Sequence, residues 1–435
     1  MFSARKLTLT SISLCLVGTV AAQIQEPPSR TDLGDYVVIG WNDLGMHCMN
    51  GEYSEWVILP PYNNLWAQIV KRGNPPQLVS SDMVLEYRFP ENTTSANKVN
   101  FWEHEDKLFG VDLPEDIGLT GHGLAGTLEW NGSAWEVTGV PITPFTDANP
   151  TVEQPYQLAE VTLRQATGGP VLDQAHVVVP TSTEIHCNTC HSGEDDDKSR
   201  AKDVSIWPQT SKPGAGYKSL RDLITFREVT KGEIEAVERV LEAHDEVDGR
   251  SLLDQQPVLC AECHSSNALG TTGRPGVKSL SQAIHEKHGE EFPTMNCYAC
   301  HPGQQTQCLR GAMYKAGQSC EDCHGSIRQV ARSIEEGRRP WIDEPKCGSC
   351  HAGYDENPGK LYRNSIGHGG LYCTACHGSP HAEYPTVQPR DNYQALRLQG
   401  TAKTLSDCRI CHTKRPTGPG PHGLPPPTTQ QWVFY

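Results

Sequence analysis

Basic residues are scarce in this chain. Its 37 Lys and Arg face 52 Asp and Glu, a formal net charge of −15. A nucleic-acid partner is excluded on that balance, because affinity for a phosphate backbone comes from neutralising it with cations. Long apolar runs are scarce too. One extends from Leu7 to Ala21, behind Arg5 and Lys6. It is short for a spanning helix, and nothing later approaches about 18 consecutive apolar residues. A basic start, an apolar stretch and the small residues Val20, Ala21 and Ala22 read as a secretory signal over residues 1–22. Cleavage near Gln23 would discard Cys15, take the charge to −17 and leave a mature chain with no membrane span. Cysteine is nearly missing from residues 23–180, where Cys48 stands alone, and the whole chain has six methionines.

Beyond residue 180 cysteine is abundant and ordered. Cys-x-x-Cys-His occurs seven times: Cys187, Cys190 and His191; Cys260, Cys263 and His264; Cys297, Cys300 and His301; Cys320, Cys323 and His324; Cys347, Cys350 and His351; Cys373, Cys376 and His377; Cys408, Cys411 and His412. Random placement of this composition gives about 0.03 copies. Two cysteines three apart can each bond a haem vinyl group, and the next histidine can ligate the iron, which is the c-type haem attachment pattern. Structural zinc would explain the cysteine pairs but not the histidine that follows every one. A disulfide scaffold fails for the same reason. The pattern implies seven haem c groups, and export agrees with it, because attachment is completed outside the cytoplasm.

Seven motif histidines leave eleven others, and seven distal ligands would close every iron. His244 follows Ile234, Val237 and Leu241 on one face of a helix begun by the capping box Thr230-Lys231-Gly232-Glu233. His285 and His288 lie one turn apart in a helix announced by Ser279. His368 sits among glycines, His381 follows His377 by four residues, and His422 lies in the Pro/Gly-rich tail. The seventh falls among His47, His122, His176 and His186. His47 is preferred because Asn42 to Cys48 has the composition of a specialised loop, whereas His104 reads as a surface residue among acids. Cys48 and Cys308 are left over, and in an oxidising compartment they suggest one disulfide, with two free thiols or metal binding as the alternatives.

Residues 23–180 read as β-rich. Tyr36 to Ile39, Val84 to Phe89, Val161 to Leu163 and His176 to Val179 are strand candidates, and Asn131-Gly132-Ser133 marks a hairpin. The expected fold is an N-terminal β-sandwich-like domain, residues 23–180. A multihaem cytochrome c domain follows over residues 181–435, with little regular secondary structure, short α-helices and a Pro/Gly-rich tail.

Gly40-Trp41-Asn42-Asp43-Leu44-Gly45-Met46-His47-Cys48, Leu59 to Asn64, Thr306 to Gly311 and Cys376 to Glu383 resemble sequences in exported bacterial multihaem cytochromes. The likeness covers nearly the whole mature chain. More loosely, the chain is similar to filament-forming cytochromes that carry electrons outside the cell, although the simplest of those have no counterpart of the β region. The resemblance implies electron transfer in the periplasm or at the cell surface of a bacterium. Its partners would be redox proteins, extracellular electron acceptors or further copies of the chain. A multihaem reductase or oxidase of nitrogen or sulfur compounds is the alternative, and it needs one iron with an open sixth position near basic residues. Arg338-Arg339 is the closest basic run, and no motif exchanges its histidine for lysine. A docking role for the β region is a third reading.

Overall fold

The computed structural model describes residues 32–185, 187, 231–303, 306–354 and 356–423. The signal segment, Thr230, His186, Cys190, His191 and the tail after Gly423 lie outside these residues. Two five-stranded sheets form the N-terminal part. In the first, strands β1 (Tyr36–Trp41), β4 (Asn63–Lys71), β9 (Trp135–Val140) and β8 (Glu129–Trp130) run in that order, with β5 (Gln77–Val79) also on β4. In the second, β2 (His47–Cys48), β11 (Asp173–Ser182), β10 (Tyr156–Gln165), β6 (Met83–Arg88) and β7 (Ala125–Thr127) follow one another. One hydrophobic core joins both: Val38, Leu65 and Ile69 from the first sheet meet Leu85, Val161 and Val177 from the second. Gly40 sits at the closest approach, where a Cβ would lie 2.5 Å from Val177 Cγ2.

Strand β1 explains its own run of apolar residues. Val38 faces the core between the sheets, while Val37, Ile39 and Trp41 face outward into a second hydrophobic cluster with Tyr372, Ala375, Leu398 and Ile410. A strand buried on both faces reads as a continuous apolar run rather than an alternating one. The Asn131 hairpin forms as expected, with Trp130 opposite Trp135. The apolar segment before it divides: Ala125–Thr127 joins β6 in the second sheet and Glu129–Trp130 joins the first. Strand β4 was not anticipated, because Asn63, Asn64 and Gln68 interrupt its pattern. Those polar side chains have buried work: Gln68 donates to the carbonyls of Ser133 and Gly370 and accepts from the Tyr372 amide.

The β region and the cysteine-rich region share a packed seam. The helix Tyr393–Gln399 lies on the β region, with Gln394 Oε1 accepting from the Gly40 amide at 2.7 Å. Arg397 donates from the same helix to Asp173 and to the Val38 carbonyl. Past the end of β4, Gly73 bridges to His412. Strand β3 (Trp56–Val57) pairs in parallel with β12 (Val258–Leu259), which runs directly into Cys260. The rest of the region is short helices and irregular chain. Its longer helices span Lys231–Asp248, Leu280–Glu291 and Ile327–Glu335. No helix among the described residues is long and apolar enough to cross a membrane.

Candidate functional site

Six of the seven motifs are described in full, and each folds as a single tight turn. The amide of His264 donates to the Cys260 carbonyl, and His301, His351 and His412 repeat this bond to Cys297, Cys347 and Cys408 at 2.8–3.0 Å. Cys320–His324 and Cys373–His377 are one-turn helices. Residues three and four apart share one face of such a turn, so both cysteines and the histidine point the same way. Local caps hold the turns: Asn296 accepts from the Tyr298 amide, Ser319 forms a capping box with Asp322, and Asp407 accepts from the Arg409 amide. Among the described residues no two cysteines are joined in a disulfide.

Five motif histidines each face one histidine from outside the motifs. Ring centroids are 6.2 Å apart for His264 and His244, 6.1 Å for His301 and His285, and 6.2 Å for His324 and His381. They are 5.9 Å apart for His377 and His422 and 6.3 Å for His412 and His368. Metal–nitrogen bonds of about 2.0 Å, with ring centroids roughly 1.1 Å behind each nitrogen, put two imidazoles on one metal at about 6.2 Å. The five spacings match that value.

Hydrogen bonds to Nδ1 orient several of these rings. The Nδ1 acceptor is the Lys278 carbonyl for His264 (2.8 Å) and the Ser281 carbonyl for His285 (2.7 Å), while His244 Nδ1 lies 3.1 Å from the Asp248 carboxylate without a hydrogen bond to it. Metal-ligating histidines commonly use such bonds to fix tautomer and ring orientation. His288 has the same anchor, its Nδ1 lying 2.8 Å from the Ile284 carbonyl. His381 (φ 64°) and His422 (φ 57°) adopt a left-handed backbone, a cost that surrounding structure must hold in place.

Protonation favours ligation at several motif rings. His301, His324 and His377 are each pushed down to about 4, by desolvation first and then by neighbouring imidazoles. His301 and His324 keep exposed surface, so part of this desolvation comes from protein that surrounds the rings without covering them. A neutral imidazole has the lone pair that iron needs. His381 moves the other way: burial lowers it, but Cys308 and Glu383 raise it to about 9, so iron would have to displace a proton from this ring. These residues fit a haem: two thiols and an imidazole on one face of a turn, and a second imidazole at the distance of a shared iron.

The remaining sequence candidates are placed differently. His47 is buried, and its Nε2 lies 2.8 Å from Asp43 Oδ1, which also holds its neighbour Asn64 through Oδ2. It therefore faces a carboxylate and, among the described residues, no motif ring. His176 lies near Glu160, His122 binds the Thr138 carbonyl, and His104 is half-buried at a helix start rather than a surface residue. His351 is exposed and, among the described residues, faces no histidine ring.

Cys48 and Cys308 are not bonded to each other. Cys308 Sγ lies 3.8 Å from His381 Nδ1 instead, and Cys48 is near enough for the two thiols to interact electrostatically. Burial pushes the Cys48 thiol up, with Cys308, Glu184 and Glu153 adding to it. Sequence reasoning paired Cys48 with Cys308 but missed their place beside His381, and it missed the role of Arg310. That side chain is fully buried, paired with Asp391 at 2.6 Å, and donates to the carbonyls of Gly45 and Cys308. An arginine beside an unassigned cysteine was the available signal.

Neighbouring motifs come within electrostatic reach of one another through their cysteines. The Cys297 and Cys320 thiols share a hydrogen bond. Cys323 is within electrostatic reach of Cys350, Cys347 of Cys373, and Cys376 of Cys411. No protein-family model, curated protein or solved structure matches the chain.

Proposed function

We propose that the chain is an exported multihaem c-type cytochrome that carries electrons through seven covalently attached haems, most of them ligated by two histidines. One observation carries this reading: five motif imidazoles each face a second imidazole at 5.9–6.3 Å. Haem iron supplies a one-electron couple when bound there. The chain's own part is positional. Each turn presents two thiols that would form the thioether bonds, Nδ1 anchors aim the imidazoles, and the two facing histidines would hold the iron between them. Iron held in this way would leave no place for substrate, which favours electron transfer.

The cysteine neighbours support a path in sequence order from the third motif to the seventh. The helix Leu280–Glu291 connects that path to the second motif, since its N-terminal amide binds the Ser265 carbonyl and it carries His285. The signal-like segment supports a location in the periplasm or outside a bacterial cell. Its partners there are redox proteins, extracellular acceptors or further copies of itself.

An oxidoreductase with one open-site haem is the second reading. The observation that favours it is His351, which is exposed and, among the described residues, faces no histidine ring.

A pyridine haemochrome assay and intact mass, on protein exported from a haem-attaching host, test the proposal. Seven haems per chain are expected. A mass equal to the bare polypeptide, or zinc in place of iron, overturns it. Electron paramagnetic resonance of the oxidised protein then separates the readings. Low-spin ferric signals alone favour the carrier, and a high-spin signal near one per chain favours the oxidoreductase.

A further inference from the structure

We propose that Cys48 and Cys308 form a thiol–disulfide couple seated on His381, the histidine that faces motif histidine His324. The oxidation state of the pair then sets the potential of the haem held by Cys320, Cys323 and His324. The inference rests on the haem reading above and goes beyond it, because it assigns the two cysteines left outside the motifs.

Three observations bring the couple together. First, one nitrogen of Arg310 donates to both the Gly45 carbonyl at 2.7 Å and the Cys308 carbonyl at 3.1 Å, so the two cysteine-bearing loops meet around one guanidinium. Second, Cys48 lies opposite Ser182 in β2 and β11, and Ser182 Oγ accepts from Thr306 at 3.0 Å, two residues before Cys308. The cysteines therefore approach each other from both sides of the same seam. Third, Cys308 Sγ lies 3.8 Å from Nδ1 of His381, whose ring faces motif histidine His324 at 6.2 Å. The Arg310 and Gly311 amides both donate to the His381 carbonyl at 2.8 Å, so the Cys308 loop holds this histidine by backbone as well as by sulfur. Both cysteines are half-buried, so a small reagent can reach them.

As a thiol, Cys308 is the outer partner of the His381 ring, and a hydrogen-bond acceptor at Nδ1 makes an imidazole a stronger donor to iron. Stronger donation stabilises the ferric state and lowers the potential. Oxidation joins the two sulfurs. The couple loses two electrons and two protons, one S–S bond forms, and an external low-molecular-weight disulfide takes the electrons and protons and leaves as two thiols. A sulfur in a disulfide is a poorer acceptor, so the potential of this haem rises.

The experiment uses the holoprotein treated with dithiothreitol or with oxidised glutathione. Each sample is alkylated after unfolding and weighed, and a parallel sample is titrated potentiometrically. Two alkylations are expected after reductant and none after oxidant. One haem per chain is expected to move to higher potential on oxidation, and Cys48→Ser and Cys308→Ser should each abolish that movement while keeping all seven haems. Two alkylations after both treatments overturn the couple. A disulfide that forms while no haem component moves overturns its link to His381. Failure of the haem reading is separable, because unattached motif cysteines would raise the alkylation count far above two.

Discussion

Glu153 is a carboxylic acid in the wrong surroundings. It is buried, one of its oxygens has no partner, and the other accepts from the Thr183 amide and hydroxyl. Burial raises it to about 7, with the Thr183 bonds opposing and the neighbouring Glu184 assisting. A carboxyl shifted upward favours the fold while protonated. Its contribution is complete below the ordinary carboxylate range and is lost as pH rises through about 7. The shift corresponds to on the order of 3 kcal/mol. Glu153→Gln should therefore flatten the fall in stability between about pH 5 and about pH 8. Thermal unfolding of both proteins at the two pH values checks this, and parallel curves would show that another group titrates. Histidine roles also divide at this scale. Five of the seven distal candidates named from sequence face a motif ring, while His47 faces Asp43. That partner stands only four residues earlier on the same loop, a local acid that the sequence reading passed over.

Among the elements, the tight β13 (Gly378–Ser379) and β14 (Ala382–Glu383) hairpin matters most, because its turn carries His381. Gly45 supports that turn from the β region. Its φ is 75°, and a Cβ there would lie 2.0 Å from the Pro380 carbonyl oxygen. Gly45→Ala must displace the turn and adopt a left-handed backbone, at a cost of about 1–3 kcal/mol. The expected result is one high-spin haem per chain in place of a low-spin one, together with a lower Tm. Unchanged spectra at a lowered Tm would mean that the turn holds His381 without Gly45. The helices were the most readable elements. Ser279 caps Leu280–Glu291 by accepting from the Gln282 amide, and both His285 and His288 lie on that helix as their spacing required. Strand β4 was the least readable, because its polar residues satisfy groups more than 60 residues away in sequence, at Ser133, Gly370 and Tyr372.

At the scale of the molecule, the β region is a scaffold for the cysteine-rich region. Its first sheet carries the sixth and seventh motifs on its outer face, β3 pairs with the strand leading into the second motif, and Arg310 fastens the His381 turn. Arg310 is the clearest test of that arrangement. Removing it leaves Asp391 buried and unpaired, and breaking such a pair costs about 3–5 kcal/mol. Arg310→Leu should lower the unfolding midpoint strongly, and Arg310→Leu with Asp391→Leu should recover much of the loss. A double variant as unstable as the single one would place the cost elsewhere.

Seven Cys-x-x-Cys-His words, the histidine count, the helix caps and the strand run at Tyr36 were determined by the sequence alone, because each depends on residues within a turn or a strand of one another. The pairing of five motif histidines with their partners was decided by the tertiary structure. So were the outward face of β1 and the meeting of Cys48, Cys308 and His381. Those contacts join residues up to hundreds of positions apart. Packing of the two regions on a common seam brings Cys48 toward Cys308 and His381, whereas the histidine pairs form by folding of the cysteine-rich region on itself.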